Sequence, residues 1–274
     1  MRIITWNVRR ANSTSLAWSL LLELKPDIAL LQEVKTIREQ IYEKFDILSK
    51  VAISKIGKPQ SFLTALLVKG KITREIQLKS EYDWVNRELG FFKGNIISGT
   101  VVCSNGEELN VVSVYCPAWP INKKRLEGFN VSAVKLKENP DVWATEIIWS
   151  ALKHTISKDE QWVVGGDFNI SETFDKEWQE NAGIKFALRS SGNKEILDRM
   201  YAIGFKECLR GYNKEIVPTF QNPKDKKLVH QIDHLFVTSN LYSRLKECKV
   251  GDKSRILGGH LSDHLPIIAD FEEF

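Results

Sequence analysis

Nothing in the 274 residues approaches the ~20 consecutive apolar residues that a membrane-spanning helix needs. The opening residues, Met1-Arg2-Ile3-Ile4-Thr5-Trp6, lack the charged segment followed by an apolar stretch that marks a secretory signal. Cysteine is scarce: four residues, at 103, 116, 208 and 248, with no C-x-x-C pair and no Cys/His spacing suited to zinc. Those positions read as reduced thiols of an intracellular protein. No internal repeat and no Pro/Gly/Ser-rich linker divides the chain. Together these absences point to a single cytoplasmic domain spanning residues 1–274, with no membrane association and no evident protein partner. Excess charge is also missing. The net formal charge is +4, which permits a polyanionic partner without demanding one. What is present is a core: 43% hydrophobic against 27% charged residues, ordinary for a folded globular protein.

Strand and helix patterns alternate from the start. Residues 3–6 read as a strand. Asn12, Ser13 and Thr14 offer caps to an amphipathic helix over 16–24, which Lys25-Pro26-Asp27 ends. Residues 28–31 are wholly apolar, as expected of a strand covered on both faces. Further strands are predicted over 63–68, 95–102, 109–115, 162–165, 231–237 and 265–271, with Ser104-Asn105-Gly106 as a turn. Residues 122–156 read as helical and basic at first, with Trp143, Ile147, Ala151 and Leu152 on one face. The pattern fits a mixed α/β (α+β) protein with two sheets; periodicity alone leaves one large open sheet as an alternative.

Polar residues stand where these runs end. Asn7 follows 3–6, Glu33 follows 28–31, and Asp167 and Asn169 follow 162–165. Asp233 opens an apolar strand, and Asp263-His264 precedes another. Strand ends are where α/β folds gather ligand groups. Carboxylate and amide oxygens suit hard cations such as magnesium or manganese, and a His–Asp pair can orient or activate reacting groups. Hydrolysis of a phosphate ester needs both. Each residue alone also fits a plain structural explanation, as a strand terminus, a turn or a cap.

Six segments stand in order: Thr5-Trp6-Asn7-Val8, Leu31-Gln32-Glu33-Val34-Lys35, Ser113-Val114-Tyr115-Cys116-Pro117, Gly165-Gly166-Asp167-Phe168-Asn169-Ile170, Gln231-Ile232-Asp233-His234-Leu235-Phe236 and Leu261-Ser262-Asp263-His264-Leu265-Pro266-Ile267. This succession resembles the motifs of the endonuclease/exonuclease/phosphatase family, which includes exonuclease III-like enzymes and DNase I, over residues 3 to about 271. The resemblance implies a four-layer αββα sandwich of two mixed β-sheets flanked by helices. It implies a Mg2+- or Mn2+-dependent phosphodiesterase, most simply a DNA or RNA nuclease. A phosphatase or phosphodiesterase acting on a small molecule or lipid head group is the alternative, and a non-catalytic module of the same fold is a further one. By motif, Glu33 would be the main metal ligand, with Asn7 nearby and Asp263 contributing. Asp167 and Asn169 would position or activate water, Tyr115 would contact the phosphate, and His264 paired with Asp233 would meet the scissile phosphate. Asp233 would fix the tautomer of His264 and favour its charged form; a neutral His264 acting as base stays open.

Lys35, directly after Glu33, matches a lysine of the repair enzymes. Arg9 stands where abasic-site endonucleases place an acidic residue or Asn; it cannot ligate a metal but could grip phosphate. Ala118 replaces an amide residue, and His230 replaces an aromatic beside Phe220 and Ile232. These departures weaken the expectation of an abasic pocket and imply a more polar one. Tyr115, in place of a histidine, favours the exonuclease III side of the family. Trp119, near Lys123, Lys124, Arg125, Lys135 and Lys137, is a candidate stacking platform for a base, while Trp143 and Trp149 read as core. A second basic loop, Lys224-Asp225-Lys226-Lys227, precedes Asp233.

Overall fold

The computed structural model describes residues 1–157, 160–180 and 192–272. Fourteen strands are named in chain order. The first seven are β1 (Arg2–Ala11), β2 (Ile28–Val34), β3 (Asp46–Ile53), β4 (Pro59–Val68), β5 (Gly70–Glu75), β6 (Ile96–Cys103) and β7 (Glu108–Tyr115). The rest are β8 (Trp162–Asp167), β9 (Phe205–Glu207), β10 (Phe220–Gln221), β11 (Leu228–His230), β12 (Asp233–Thr238), β13 (Leu245–Val250) and β14 (Ile267–Phe271). The helices are α1 (Ala17–Leu24), α2 (Glu39–Tyr42), α3 (Asp83–Phe91), α4 (Ala144–Thr155), α5 (Glu172–Glu180), α6 (Asn193–Ala202), α7 (Cys208–Asn213) and α8 (Ser239–Tyr242).

Two six-stranded mixed sheets form, in the orders β13-β14-β1-β2-β4-β3 and β5-β6-β7-β8-β12-β9, and β10 pairs with β11 in a separate hairpin. Each large sheet has one parallel pair at its centre, β1 with β2 and β7 with β8, and antiparallel strands around it. Parallel neighbours need a crossover, and α1 and α4 lie within the two connections.

Strand alternation builds the layers. Ile3, Ile28, Leu30, Val111, Val163, Leu235 and Ile267 point between the sheets. Their chain neighbours Ile4, Ala29, Leu31 and Ile268 face α1 and its Trp18 and Leu21. Val112, Val164 and Phe236 face the helices on the other side, among them α4 and α6. Three apolar interfaces therefore separate four layers, α-β-β-α, as expected from the motif succession. A wholly apolar strand is what such double coverage requires.

Three expectations need correction. The helix predicted within 122–156 is confined to Ala144–Thr155; before it only a 3-10 turn forms at Lys123–Arg125. Asn122, Asn130 and Asn139 each accept a backbone N–H two residues on, which competes with helix formation, and Pro140 cannot donate. Helix α1 has no side-chain cap; Asn12 accepts from Thr14 instead. Trp143 and Trp149 are only half-buried. The four cysteines are free and buried. No helix among the described residues is long and apolar enough to cross a membrane.

Candidate active site

The side chains pointing between the sheets turn polar toward one end. Along β1, Ile3 is followed on its face by Thr5 and Asn7; along β2, Leu30 by Gln32; along β7, Val111 by Ser113 and Tyr115. Along β8, Val163 and Gly165 lead to Asp167. Register sets Tyr115 beside Asp167 and Asp167 beside Asp233, and pairs Asn7 with Gln32 on the opposite sheet. The site thus stands at the C-terminal ends of both central parallel pairs.

Gly166 makes that arrangement possible. Its φ is +154°, and a Cβ would stand 1.9 Å from the Val114 carbonyl oxygen. Only glycine lets β8 run this close to β7 before presenting Asp167.

Glu33 is aimed by a bulge. Pairing of β2 with β4 passes from Leu31–Ala65 to Val34–Leu63, so Gln32 and Glu33 together oppose Thr64. Pairing of β1 with β2 skips from Asn7–Gln32 to Ala11–Val34 at the same place. Gln32 remains between the sheets, donating to Ser113 Oγ at 3.3 Å, while Glu33 faces the cleft. Arg9, Arg10, Glu33 and Asn169 all line this cleft, and all adopt positive φ, between 45° and 58°. Such conformations cost of order 1–3 kcal/mol each, and persist where the surroundings over-determine them.

The cleft, about 420 Å³, is also lined by Tyr115, Ala118, Asp167, Phe220, Ile232, Asp263 and His264. At its floor, His264 Nδ1 donates to Asp233 at 2.9 and 3.1 Å. Asp167 accepts from Asn7 Nδ2 at 3.0 Å on one oxygen and from the Asn169 N–H at 3.1 Å on the other. Asn169 Nδ2 donates to the Cys116 carbonyl at 2.8 Å.

Further groups hold these in place. Thr219 Oγ1 accepts the N–H groups of Ile232 and Asp233, both at 3.1 Å. Ser262 Oγ donates to the Asn7 carbonyl at 2.7 Å and accepts the His264 N–H at 3.0 Å. Trp6 Nε1 donates to the His264 carbonyl at 2.9 Å. The Phe220 ring lies 4.9 Å from that of His264.

Burial opposes charge on His264, but the carboxylates of Asp233, Asp167 and Asp263 outweigh it and lift its pKa to about 10. Asp167 also lies above the usual carboxylate range. Burial pushes it up to about 7, with Asp233 and Glu33 adding, against the His264 charge and the Asn7 hydrogen bond. The Tyr115 hydroxyl is raised by burial and by Glu33 and Asp167, so it stays protonated.

Carboxylates of Asp167 and Asp233 and a ring nitrogen of His264 lie within 4.8 Å of one another, close enough to share an ion. A charged His264 whose Nδ1 already donates to Asp233 is instead a hydrogen-bonded pair, since a metal needs a neutral ring nitrogen. Glu33 and Asp263 are better placed for a hard cation. Both face the cleft, 21% and 17% exposed at the side chain, and each is met only loosely by a guanidinium, Arg10 at 3.8 Å and Arg9 at 3.4 Å. Oxygen donors of this type fit magnesium or manganese.

Of the residues singled out from sequence, Asn7, Arg9, Glu33, Tyr115, Asp167, Asn169, Phe220, Asp233, Asp263 and His264 come together here. Asn7 and Asp233 lie buried beneath the lining, and three others stand apart from the cleft. Lys35 is exposed just beyond β2. Trp119 stands outside on the rim, and His230 turns away. His230 Nδ1 pairs with Thr173 Oγ1 at 2.8 Å and its ring meets Phe174 of α5 at 4.5 Å. The wall expected to be polar is therefore made by Phe220 and Ile232. Sequence reasoning missed Arg10, marked only by its adjacency to Arg9. It also missed Phe62, which packs edge-on to Tyr115 at 5.2 Å beneath the Arg10 guanidinium and carries no motif.

A family profile described as the Endonuclease/Exonuclease/phosphatase family matches residues 4–264. The chain belongs to this family, whose members typically depend on a divalent metal. Its fold is similar to an AP endonuclease from Archaeoglobus fulgidus, at 19% identity and TM-score 0.70, covering 100% of each chain. It is likewise similar to a 3'-5' exonuclease from Neisseria meningitidis, at 21% identity and TM-score 0.69, again covering 100% of each. A 3' phosphatase from Neisseria bound to a product DNA hairpin aligns at 20% identity and TM-score 0.67 over 100% of each chain. No curated protein sequence matches the chain.

Proposed function

We propose that this chain is a magnesium- or manganese-dependent nuclease that hydrolyses phosphodiester bonds of DNA. The observation that carries the reading is the buried Asp233–His264 pair beside Asp167, in one cleft with Glu33 and Asp263. The family match over 4–264 supports both hydrolysis and a single domain. The three structural neighbours, which include a complex with a DNA hairpin, favour a nucleic-acid substrate.

Glu33 and Asp263, with the Asn7 amide nearby, would hold the metal. When bound, the ion neutralises phosphate charge and stabilises the leaving oxygen. His264, charged at neutral pH, donates through Nε2 to a phosphate oxygen where negative charge gathers. Asp167, with a pKa near neutrality, takes a proton from the attacking water. Asn7 and the Asn169 N–H fix the orientation of that carboxylate. Tyr115, held protonated, donates to the phosphate, and Arg9 and Arg10 add positive charge at the rim.

End-labelled DNA duplexes, one intact and one carrying a stable abasic analogue, test the reading with magnesium or with EDTA, beside a His264→Ala variant. Magnesium-dependent cleavage, lost in EDTA and in the variant, is expected. Cutting of the abasic strand alone would define a repair endonuclease despite Arg9, Ala118 and the turned-away His230. Cutting of both would define a general nuclease. Failure on every DNA, with turnover of small phosphoesters, would overturn the DNA reading.

A further inference from the structure

The cleft rim beyond Ala118 carries aromatic rings and cations that the proposed chemistry does not use. Trp119, next in sequence to the lining residue Ala118, is 54% exposed. Lys55, at the tip of the β3–β4 hairpin, stands 4.8 Å from its ring centroid. Gly57 of the same tip lies against Phe91 of α3, where an added Cβ would come within 3.1 Å of the ring. The Arg125 guanidinium sits 3.2 Å from the Phe91 centroid, and Arg87 sits 4.5 Å from that of Phe129, which is 40% exposed. Arg87 in turn donates to the Arg125 carbonyl. Hairpin tip, α3 and the 118–130 segment thus form one ridge that begins at the cleft, with a cation beside every ring.

Burial explains Phe91, which packs against the sheet–helix core. It does not explain Trp119, whose ring has Lys55 over it and which stays more than half exposed. A large ring left in water gains nothing for folding; it gains by covering another flat, apolar surface. Arg87 and Arg125 share the buried Glu88 carboxylate, at 3.4 and 2.8 Å, so that group keeps one positive charge in excess; with Lys55 it favours an anionic partner, and every nucleobase has a face to offer next to its phosphate. In a duplex those faces are already stacked on each other, so only an unpaired strand can use the ridge.

We propose that this ridge binds unpaired nucleotides, with a base stacked on Trp119 and the adjoining phosphates met by Lys55 and Arg87, so that the strand passing Ala118 is held single-stranded. The proposal rests on the nucleic-acid reading above and assigns its substrate class at this rim: single-stranded or locally opened strands.

The test is binding without cleavage. Fluorescein-labelled oligothymidylate and a blunt duplex of equal length are titrated with wild-type protein, Trp119→Ala and Trp119→Phe in EDTA, and anisotropy is read at fixed salt. Trp119→Ala is expected to weaken oligothymidylate binding about tenfold, as for loss of one stacked base. Duplex binding should change less than about twofold, and Trp119→Phe should restore most of the loss. Equal losses on both ligands would show the ridge to be a general charge patch and overturn the proposal. So would an unchanged affinity in Trp119→Ala, or no wild-type affinity for oligothymidylate. Magnesium-dependent hydrolysis of bis(4-nitrophenyl) phosphate by the wild type, run in parallel, reads the phosphodiesterase assignment separately, so either idea can fall alone.

Discussion

Replacing Asp233 by Asn tests the electrostatics of the site with almost no change of shape. Asp233 is 1% exposed and His264 6%. Removing one partner of a buried ion pair costs about 3–5 kcal/mol when the other is left charged. Here the amide oxygen still accepts a hydrogen bond and the imidazole can shed its proton, so about 2–3 kcal/mol is expected near neutral pH. In a chain of 274 residues that is a fall of roughly 4–5 °C in Tm. Its pH dependence is the sharper test. The folded pKa of His264 is raised from 6.5 to about 10. A raised pKa contributes stability that is fully present below pH 6.5 and is lost as pH climbs through about 10. In Asp233→Asn that contribution is gone, and burial leaves the ring neutral. The Tm deficit of the variant should therefore be largest near about pH 6 and shrink toward about pH 9.5 in scanning fluorimetry. A deficit that stays constant or grows with pH would refute the charged pair and favour a neutral His264.

Asp167→Asn should lower kcat about 100- to 10,000-fold on any phosphodiester the wild type cuts, and should remove a rate-limiting ionisation near pH 7 from the kcat/KM profile. Loss of activity with that ionisation retained would assign the proton transfer elsewhere. Glu33→Gln should abolish the magnesium-dependent rise in Tm, worth about 2.7 kcal/mol in the wild type at a hundredfold excess over Kd. An undiminished rise, read by the same fluorimetry without substrate, would move the metal off Glu33. Gly166→Ala should destabilise by more than about 4 kcal/mol, because its Cβ would meet the Val114 carbonyl at 1.9 Å in a backbone conformation hostile to side chains. A well-folded alanine variant with near-normal Tm would mean that β8 need not approach β7 so closely.

Much of this arrangement was legible in the chain. Continuous apolar runs at β2 and β8 announce strands covered on both faces, and polar residues at their ends mark where the inter-sheet core opens to solvent. Edge elements were less legible. β3, β5 and β13 carry charged residues on faces that meet water, so their hydrophobic alternation is weak. The helix predicted from residue 122 failed because local Asn–backbone bonds outcompeted it, which a face-by-face count of apolar residues does not register.

The sequence by itself determined which residue types reach the strand ends and in what order, because side-chain alternation and motif spacing are local properties of the chain. Only the tertiary structure decided their chemistry. Asp233 and His264 are neighbours through packing, not sequence, and the charged state of His264 depends on carboxylates from three separate segments together with its own burial. Glu33 faces the cleft only because two bulges meet there. His230 leaves the cleft for α5, Arg10 enters it, and Trp119 becomes part of a ridge built by the β3–β4 hairpin and α3. Each of these outcomes turns on distances of a few ångströms between segments far apart in the chain, and electrostatic and stacking energies are set by that separation in space.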